Sequence, residues 1–122
     1  MTTGLRFIAS RPIGVLASIG DDGYPHAVPV EILVDDGKVY TWCRTTARRV
    51  GFLRARPVAS ITAYRGNDFA CARGPVAFRD PSWSGYERIT AAFLDKYERD
   101  ETYGNDLLVE LDPISVISRV GD

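Results

Sequence analysis

The stretch Gly14–Cys43, GVLASIGDDGYPHAVPVEILVDDGKVYTWC, decides the architecture. Three apolar runs, Gly14–Ile19, His26–Val34 and Val39–Cys43, are separated by two copies of one signal, Asp21-Asp22-Gly23 and Asp35-Asp36-Gly37. Aspartate tolerates the left-handed backbone region and glycine enters it freely, so Asp-Gly between β-branched runs closes an antiparallel hairpin. Two hairpins in succession predict a three-stranded meander.

On either side the periodicity changes. Upstream, Leu5, Ile8 and Ala9 recur at helical spacing, and Arg11-Pro12 ends the pattern because proline pushes its predecessor out of the helical region. This short helix is expected to plug one end of a barrel. Downstream, Ala47, Val50 and Leu53 share a face of a helix spanning Thr46 to Ala55, and Pro57 stops the run. Val58–Tyr64 alternates as a strand, Arg65-Gly66-Asn67-Asp68 turns the chain, and Phe69–Phe78 is a further strand with Gly74-Pro75 as the place for a bulge. Ser84 and Glu87 have capping-box spacing ahead of Tyr86, Ile89, Phe93, Leu94 and Tyr97, which keep to one face of a longer helix. Leu107–Leu111 and Ile114–Val120, around Asp112-Pro113, supply one bent strand or two short ones.

Six or seven antiparallel strands interrupted by short helices exclude a doubly wound parallel sheet, which needs a crossover between successive strands. A closed or partly closed barrel remains, mainly β, and one this small has a filled interior, so a ligand is expected on its outside or at a subunit junction. With 122 residues, 45% hydrophobic and 25% charged, the expectation is one domain over residues 1–122. A chain of this length buries only ~65% of its unfolded surface, which favours a dimer as a source of further burial.

The formal net charge of -1 gives no general attraction to nucleic acid or to an anionic membrane, and no apolar run approaches the ~20 residues that span a bilayer. Cys43 and Cys71 lack C-x-x-C spacing, and the N-terminus lacks the basic and apolar regions of a signal peptide, so free thiols and a cytoplasmic location are expected. The near-neutral total hides a local bias. All cationic residues except Lys38 and Lys96 are arginines, and seven of them fall between Arg44 and Arg73.

Thr41–Arg49 is the most informative segment for chemistry. A helix N-terminus offers unpaired N–H groups and the positive end of the macrodipole, and Thr45, Thr46, Arg48 and Arg49 converge there as hydroxyl and guanidinium donors suited to phosphate. A solvated basic face with Thr46 as an ordinary N-cap is the alternative on spacing alone. His26 is the only histidine. A histidine-based zinc site or a conventional triad therefore has little to build on, and His26 reads as a strand-edge residue near the cleft. The paired aspartates are adjacent and precede glycine, which suits turns and not a glycosidase pair.

The order of local strings resembles the pyridoxamine 5′-phosphate oxidase-like, FMN-binding split β-barrel family. The strings are Gly14–Ser18, Asp22–Val30, Gly37–Thr41, Ala47–Val50, Leu53–Ile61 and Gly74–Ala77, and the likeness runs from Phe7 to about Val120. It implies a six- to seven-stranded antiparallel split barrel acting as a homodimer, with the flavin between subunits. Carried over, Arg48 and Arg49 hold the phosphate, Arg49 at a position that is often lysine, with Thr45 and Thr46 as hydroxyl partners. The ring would rest along Val28, Pro29, Val30, Thr41, Trp42 and Cys43, with Val50 beside the anchor. Arg73 and Trp83 are second-subunit candidates. Trp42 is open to two roles, ring stacking or barrel packing, and Trp83 to cleft closure or a hydrophobic staple.

The resemblance implies a flavin-dependent oxidoreductase acting on a small molecule, with FMN as cofactor and no metal. The deazaflavin coenzyme F420 is the alternative, since the arginine-rich segment suits its longer anionic tail. A non-catalytic flavin- or haem-binding relative is a further one. The chain lacks the N-terminal extension and the C-terminal basic and aromatic strand of the true oxidase, which argues against pyridoxal phosphate as its product.

Overall fold

The computed structural model describes residues 1–121. Among them are three helices, α1 (Thr3–Ser10), α2 (Arg48–Ala55) and α3 (Tyr86–Lys96), and eight strands. The strands are β1 (Ile13–Ile19), β2 (Pro25–Glu31), β3 (Leu33–Asp35), β4 (Lys38–Cys43), β5 (Val58–Arg65), β6 (Asp68–Arg79), β7 (Leu107–Leu111) and β8 (Ser115–Arg119). All pairings are antiparallel in the order β2-β1-β5-β6-β7-β4-β3, with β8 added on β6. The sheet curls into a half-barrel around Leu16, Ile32, Val39, Leu53, Ile61 and Leu111, and α1 packs against β6 and β8. Both hairpins form, β1 with β2 and β3 with β4, where Asp35 faces Lys38 across Asp36 and Gly37, both at positive φ, but the expected three-stranded meander does not, because the break at Ile32 sends β2 and β3 to opposite ends of the strand order.

The strand count exceeds the expected six or seven because the run His26–Val34 breaks at Ile32 and the chain end gives two strands. Burial causes the break. Ile32 is fully buried, and its backbone is satisfied outside the ladder: its N–H donates to the Tyr97 hydroxyl at 2.8 Å, and its carbonyl accepts from Lys96 Nζ at 2.6 Å. Burial lowers the Lys96 pKa to about 8. The hydroxyl of Tyr97 donates to the Pro12 carbonyl at 2.7 Å, so the end of α3 ties the break to the α1–β1 link.

Two helix starts differ from the sequence reading. α3 is capped by Gly85 with no side-chain bond, so the Ser84–Glu87 capping box does not form; the preceding turn is held by Asp80, which accepts from the N–H of Ser82. α2 begins at Arg48 with Ala47 as its cap, two residues later than Thr46. At Gly74-Pro75, β6 changes partner from β5 to β7. A Cβ on Gly74 would stand 2.2 Å from the carbonyl oxygen of Asp112, which crosses there. Gly74→Ala is therefore expected to cost about 1–3 kcal/mol in overpacking, read as a lower midpoint in urea unfolding at unchanged slope.

Candidate functional site

β4 ends at Cys43, Arg44–Ala47 turns the chain with the N–H of Ala47 donating to the Arg44 carbonyl at 2.9 Å, and α2 starts immediately after. Alanine offers no oxygen, so the first amides of α2 have no side-chain cap. Arg48 is exposed and lies 5.4 Å over the Phe52 ring, which packs in turn on His26 at 4.6 Å between centroids. Arg49 is half-buried, and its Nε is buried with no hydrogen-bond partner among the described residues. It sits close enough to Cys43 to pull the thiol pKa down, although burial, the larger effect, raises it.

The two threonines part company. Thr45 directs both its N–H and its hydroxyl to Asp106 Oδ1, at 2.8 and 2.9 Å, and these bonds hold the Asp106 carboxyl below the usual range. Its hydroxyl proton is thus committed within the chain. Thr46 is exposed and makes no side-chain hydrogen bond among the described residues. The described ion pairs join Asp22 to His26, Arg79 to Glu110, Arg88 to Asp35 and Arg99 to Glu31. Arg44, Arg48, Arg49, Arg54 and Arg56 take part in none of them, so the α2 segment carries a concentrated positive charge.

Most of the expected ring contacts are not brought to this surface. Val30 (5% exposed), Thr41 (0%), Trp42 (5%), Cys43 (2%) and Val50 (3%) are core residues. Trp42 stacks on Phe93 at 4.6 Å beneath α3 and donates from Nε1 to Glu31 at 3.0 Å, so its role is packing. Every residue of β4 after Lys38 is buried because the barrel core covers Val39 and Cys43 while the α3 layer covers Tyr40 and Trp42. Among the described residues, Thr41–Cys43 therefore presents no exposed side chain. Val28 is half-buried against the core and Pro29 is exposed on the outer side of β2. Trp83 packs on its own chain, 6.2 Å from Tyr40 and beneath the Arg79 guanidinium at 5.2 Å.

Arg73 lies away from the anchor, on an outer groove of about 370 Å³ that also takes in Ala17, Ile19, Val58 and Ile114. This largely apolar groove and the cationic α2 start are separate features of one chain. Sequence reasoning missed Phe52 and Asp106. The four-residue spacing from Arg48 could have revealed Phe52, whereas nothing local links Thr45 to a residue 61 positions away.

A curled antiparallel barrel with an uncapped, arginine-bearing helix start after its fourth strand belongs to the split-barrel class. The chain is a member of the pyridoxamine 5′-phosphate oxidase family, whose model matches residues 4–117. No curated protein matches it. Among solved structures it resembles the conserved hypothetical protein Rv2991 of Mycobacterium tuberculosis, with TM-score 0.81 and 20% identity over 97% of this chain and 84% of that one. An F420 reductase follows the same fold (TM-score 0.75, 18% identity, 96% and 98% covered), as does the heme storage protein HutZ of Vibrio cholerae (TM-score 0.75, 11% identity, 92% and 89% covered). No helix among the described residues is long and apolar enough to cross a membrane.

The Thr45–Asp106 clasp has a pH signature. Because the folded Asp106 carboxyl titrates below its unfolded value, the stability it confers is present above the unfolded pKa and is lost as pH falls through the folded one. Asp106→Asn should flatten the decline in thermal midpoint between pH 5 and pH 3, measured against wild type.

Proposed function

We propose that the chain is a flavin-dependent oxidoreductase that works as a homodimer, with the start of α2 holding the cofactor phosphate. The observation that carries this is the pairing of an uncapped helix N-terminus with Arg48 and Arg49, neither engaged by a carboxylate among the described residues and one with a buried Nε left without a partner. Such a site lacks only an anion, and the donor set fits a phosphomonoester: backbone N–H groups, the Thr46 hydroxyl and two guanidinium forks. Thr45 shapes the turn through Asp106 and is not itself a ligand donor. Membership of the family supports FMN as the occupant.

The cofactor, when bound, supplies hydride exchange at its ring. The chain's own residues have narrower tasks. Arg48 and Arg49 fix the phosphate end, and the Phe52 ring beneath Arg48 limits its movement. The apolar outer groove at Ile19, Val58 and Ile114, which are 36%, 47% and 78% exposed, is the seat for a second copy, which would close water out of the shared cleft. The substrate is a small molecule, because the barrel interior is filled.

A specific observation favours coenzyme F420 as the second reading. Arg44, Arg54 and Arg56 also lack ion-pair partners among the described residues, which continues the cationic strip past the phosphate position as a longer anionic tail requires. The fold likeness to an F420 reductase supports it. A non-catalytic flavin or haem carrier is the outcome if no reduced nicotinamide or deazaflavin donor turns over with the loaded protein.

The test is titration with FMN and with F420, followed by ligand fluorescence, for wild type, Arg48→Ala and Arg49→Ala. Each substitution is expected to weaken binding by about 1.5–3 kcal/mol. Unchanged affinity in both variants would sink the anchor. Sedimentation should give a dimer at micromolar concentration, shifted to monomer by Val58→Asp.

A further inference from the structure

On the face of β4, β7 and β6 that carries Tyr40 and Glu110, a hollow of about 270 Å³ opens where no residue of α3 reaches. Lys38, Arg79, Glu110 and Asp112 line it, over a floor of Pro75, Val76 and Ala77. Strand register creates it. Tyr40, Glu110 and Ala77 stand side by side on the three strands, and the alanine leaves space beside two larger side chains. Side chains on one face recur every second residue, so the next row on this face is Lys38, Asp112 and Pro75.

The four charged groups are not used alike. Glu110 is 4% exposed and spent within the chain, accepting from the Tyr40 hydroxyl at 2.7 Å and from Arg79 Nη2 at 3.0 Å. Burial pushes its carboxyl up, but the bonds from Arg79 and Tyr40, with the charge of nearby Lys38, outweigh that and hold it below the usual range, as a carboxylate. Arg79 is neutralised in return. Lys38 and Asp112 are opposite in charge and neighbours in register, yet neither takes part in any ion pair among the described residues. Asp35, which faces Lys38 across the hairpin, is taken by Arg88 at 2.9 Å.

The hollow thus presents one uncommitted cation and one uncommitted acid on adjacent strands, ~4.8 Å apart by sheet geometry, above an apolar floor. A ligand of single charge would meet a like charge at close range. An uncharged ligand would cover both groups without pairing either, which costs desolvation with no return. We propose that this hollow binds a zwitterion, a free α-amino acid with a small apolar side chain. Its carboxylate takes Lys38 Nζ, its ammonium takes the Asp112 carboxylate with Glu110 behind it, and its side chain lies on Pro75, Val76 and Ala77. The site shares no residue with the α2 anchor and does not depend on the flavin reading.

The experiment is an amide NMR titration of the protein as isolated with L-valine, with N-acetyl-L-valine, which lacks the ammonium, and with L-valinamide, which lacks the carboxylate. L-valine should shift Lys38, Val76, Ala77 and Asp112 saturably at millimolar concentration, and each blocked analogue should bind at least several-fold more weakly. Lys38→Met and Asp112→Asn should each weaken L-valine roughly tenfold, the factor that one charge-assisted hydrogen bond supplies. Both substitutions keep the length of the side chain at an unpaired position, so the fold does not depend on either charge. Ala77→Leu, which fills the hollow, should abolish the shifts. Absence of saturable shifts in wild type, an equal response to either blocked analogue, or unchanged affinity in either Lys38→Met or Asp112→Asn would overturn the site.

Discussion

The close crossing at Gly74 is the constraint on which the architecture depends. There the carbonyl of Asp112 passes over a residue with no side chain, while the N–H of Asp112 donates to the Pro75 carbonyl at 3.0 Å and the N–H of Ile114 to the Arg73 carbonyl at 2.9 Å. Those bonds let one long strand, β6, hold β8 along its first half and β7 along its second. The sheet must then curl, because β7 carries β4 round to the far side of the core. β4 delivers the chain to Cys43, and the turn into α2 begins at the next residue. A backbone contact thus sets where the guanidinium groups of α2 emerge.

Curling also creates a second layer. With β4 and β7 facing outward as well as inward, Tyr40, Trp42 and Leu108 need a cover, which α3 supplies through Ile89 and Phe93. The carboxylate trapped in this layer is paired: Glu110 accepts from the Tyr40 hydroxyl at 2.7 Å and from Arg79 at 3.0 Å, and the Tyr40 pKa rises through burial and the neighbouring carboxylate. Such buried pairs contribute little net stability, but removing either partner leaves a charge that costs several kcal/mol. The end of α3 is held over the break at Ile32 by Lys96 and Tyr97 instead.

What the sequence made legible follows from the range of the forces involved. Hairpins at Asp36-Gly37 and Gly66-Asn67 were readable because turn geometry is decided by the residues in the turn. The amphipathic face of α3 was readable from its period, but its cap was not: Ser84 and Glu87 have the right spacing, yet the chain enters the helix through Gly85, fixed by the Asp80–Trp83 turn. The position of Arg48 and Arg49 at a helix start was legible, and so was the arginine bias. That Trp42 is covered by α3, and that Thr45 is held by Asp106, depended on which elements meet across the sheet. A run such as Val39–Cys43 looks the same whether one face or both are covered.

Net charge concealed the electrostatic design for a related reason. The total of -1 is an average over residues whose charges are used in different ways. Glu31, Glu110 and Asp35 each take an arginine from α3, β6 or the α3–β7 segment into a local pair, which removes those arginines from any role toward a ligand. The guanidinium groups left without such partners among the described residues include five on α2 and its flanks, Arg44, Arg48, Arg49, Arg54 and Arg56, with the others spread over Arg6, Arg11, Arg65, Arg73 and Arg119. Because attraction to an anion falls off within roughly 8 Å at physiological salt, a ligand meets only the cations near its own binding position. A chain whose charges nearly cancel can therefore present strongly cationic sites, and its acids help by neutralising the arginines that serve packing.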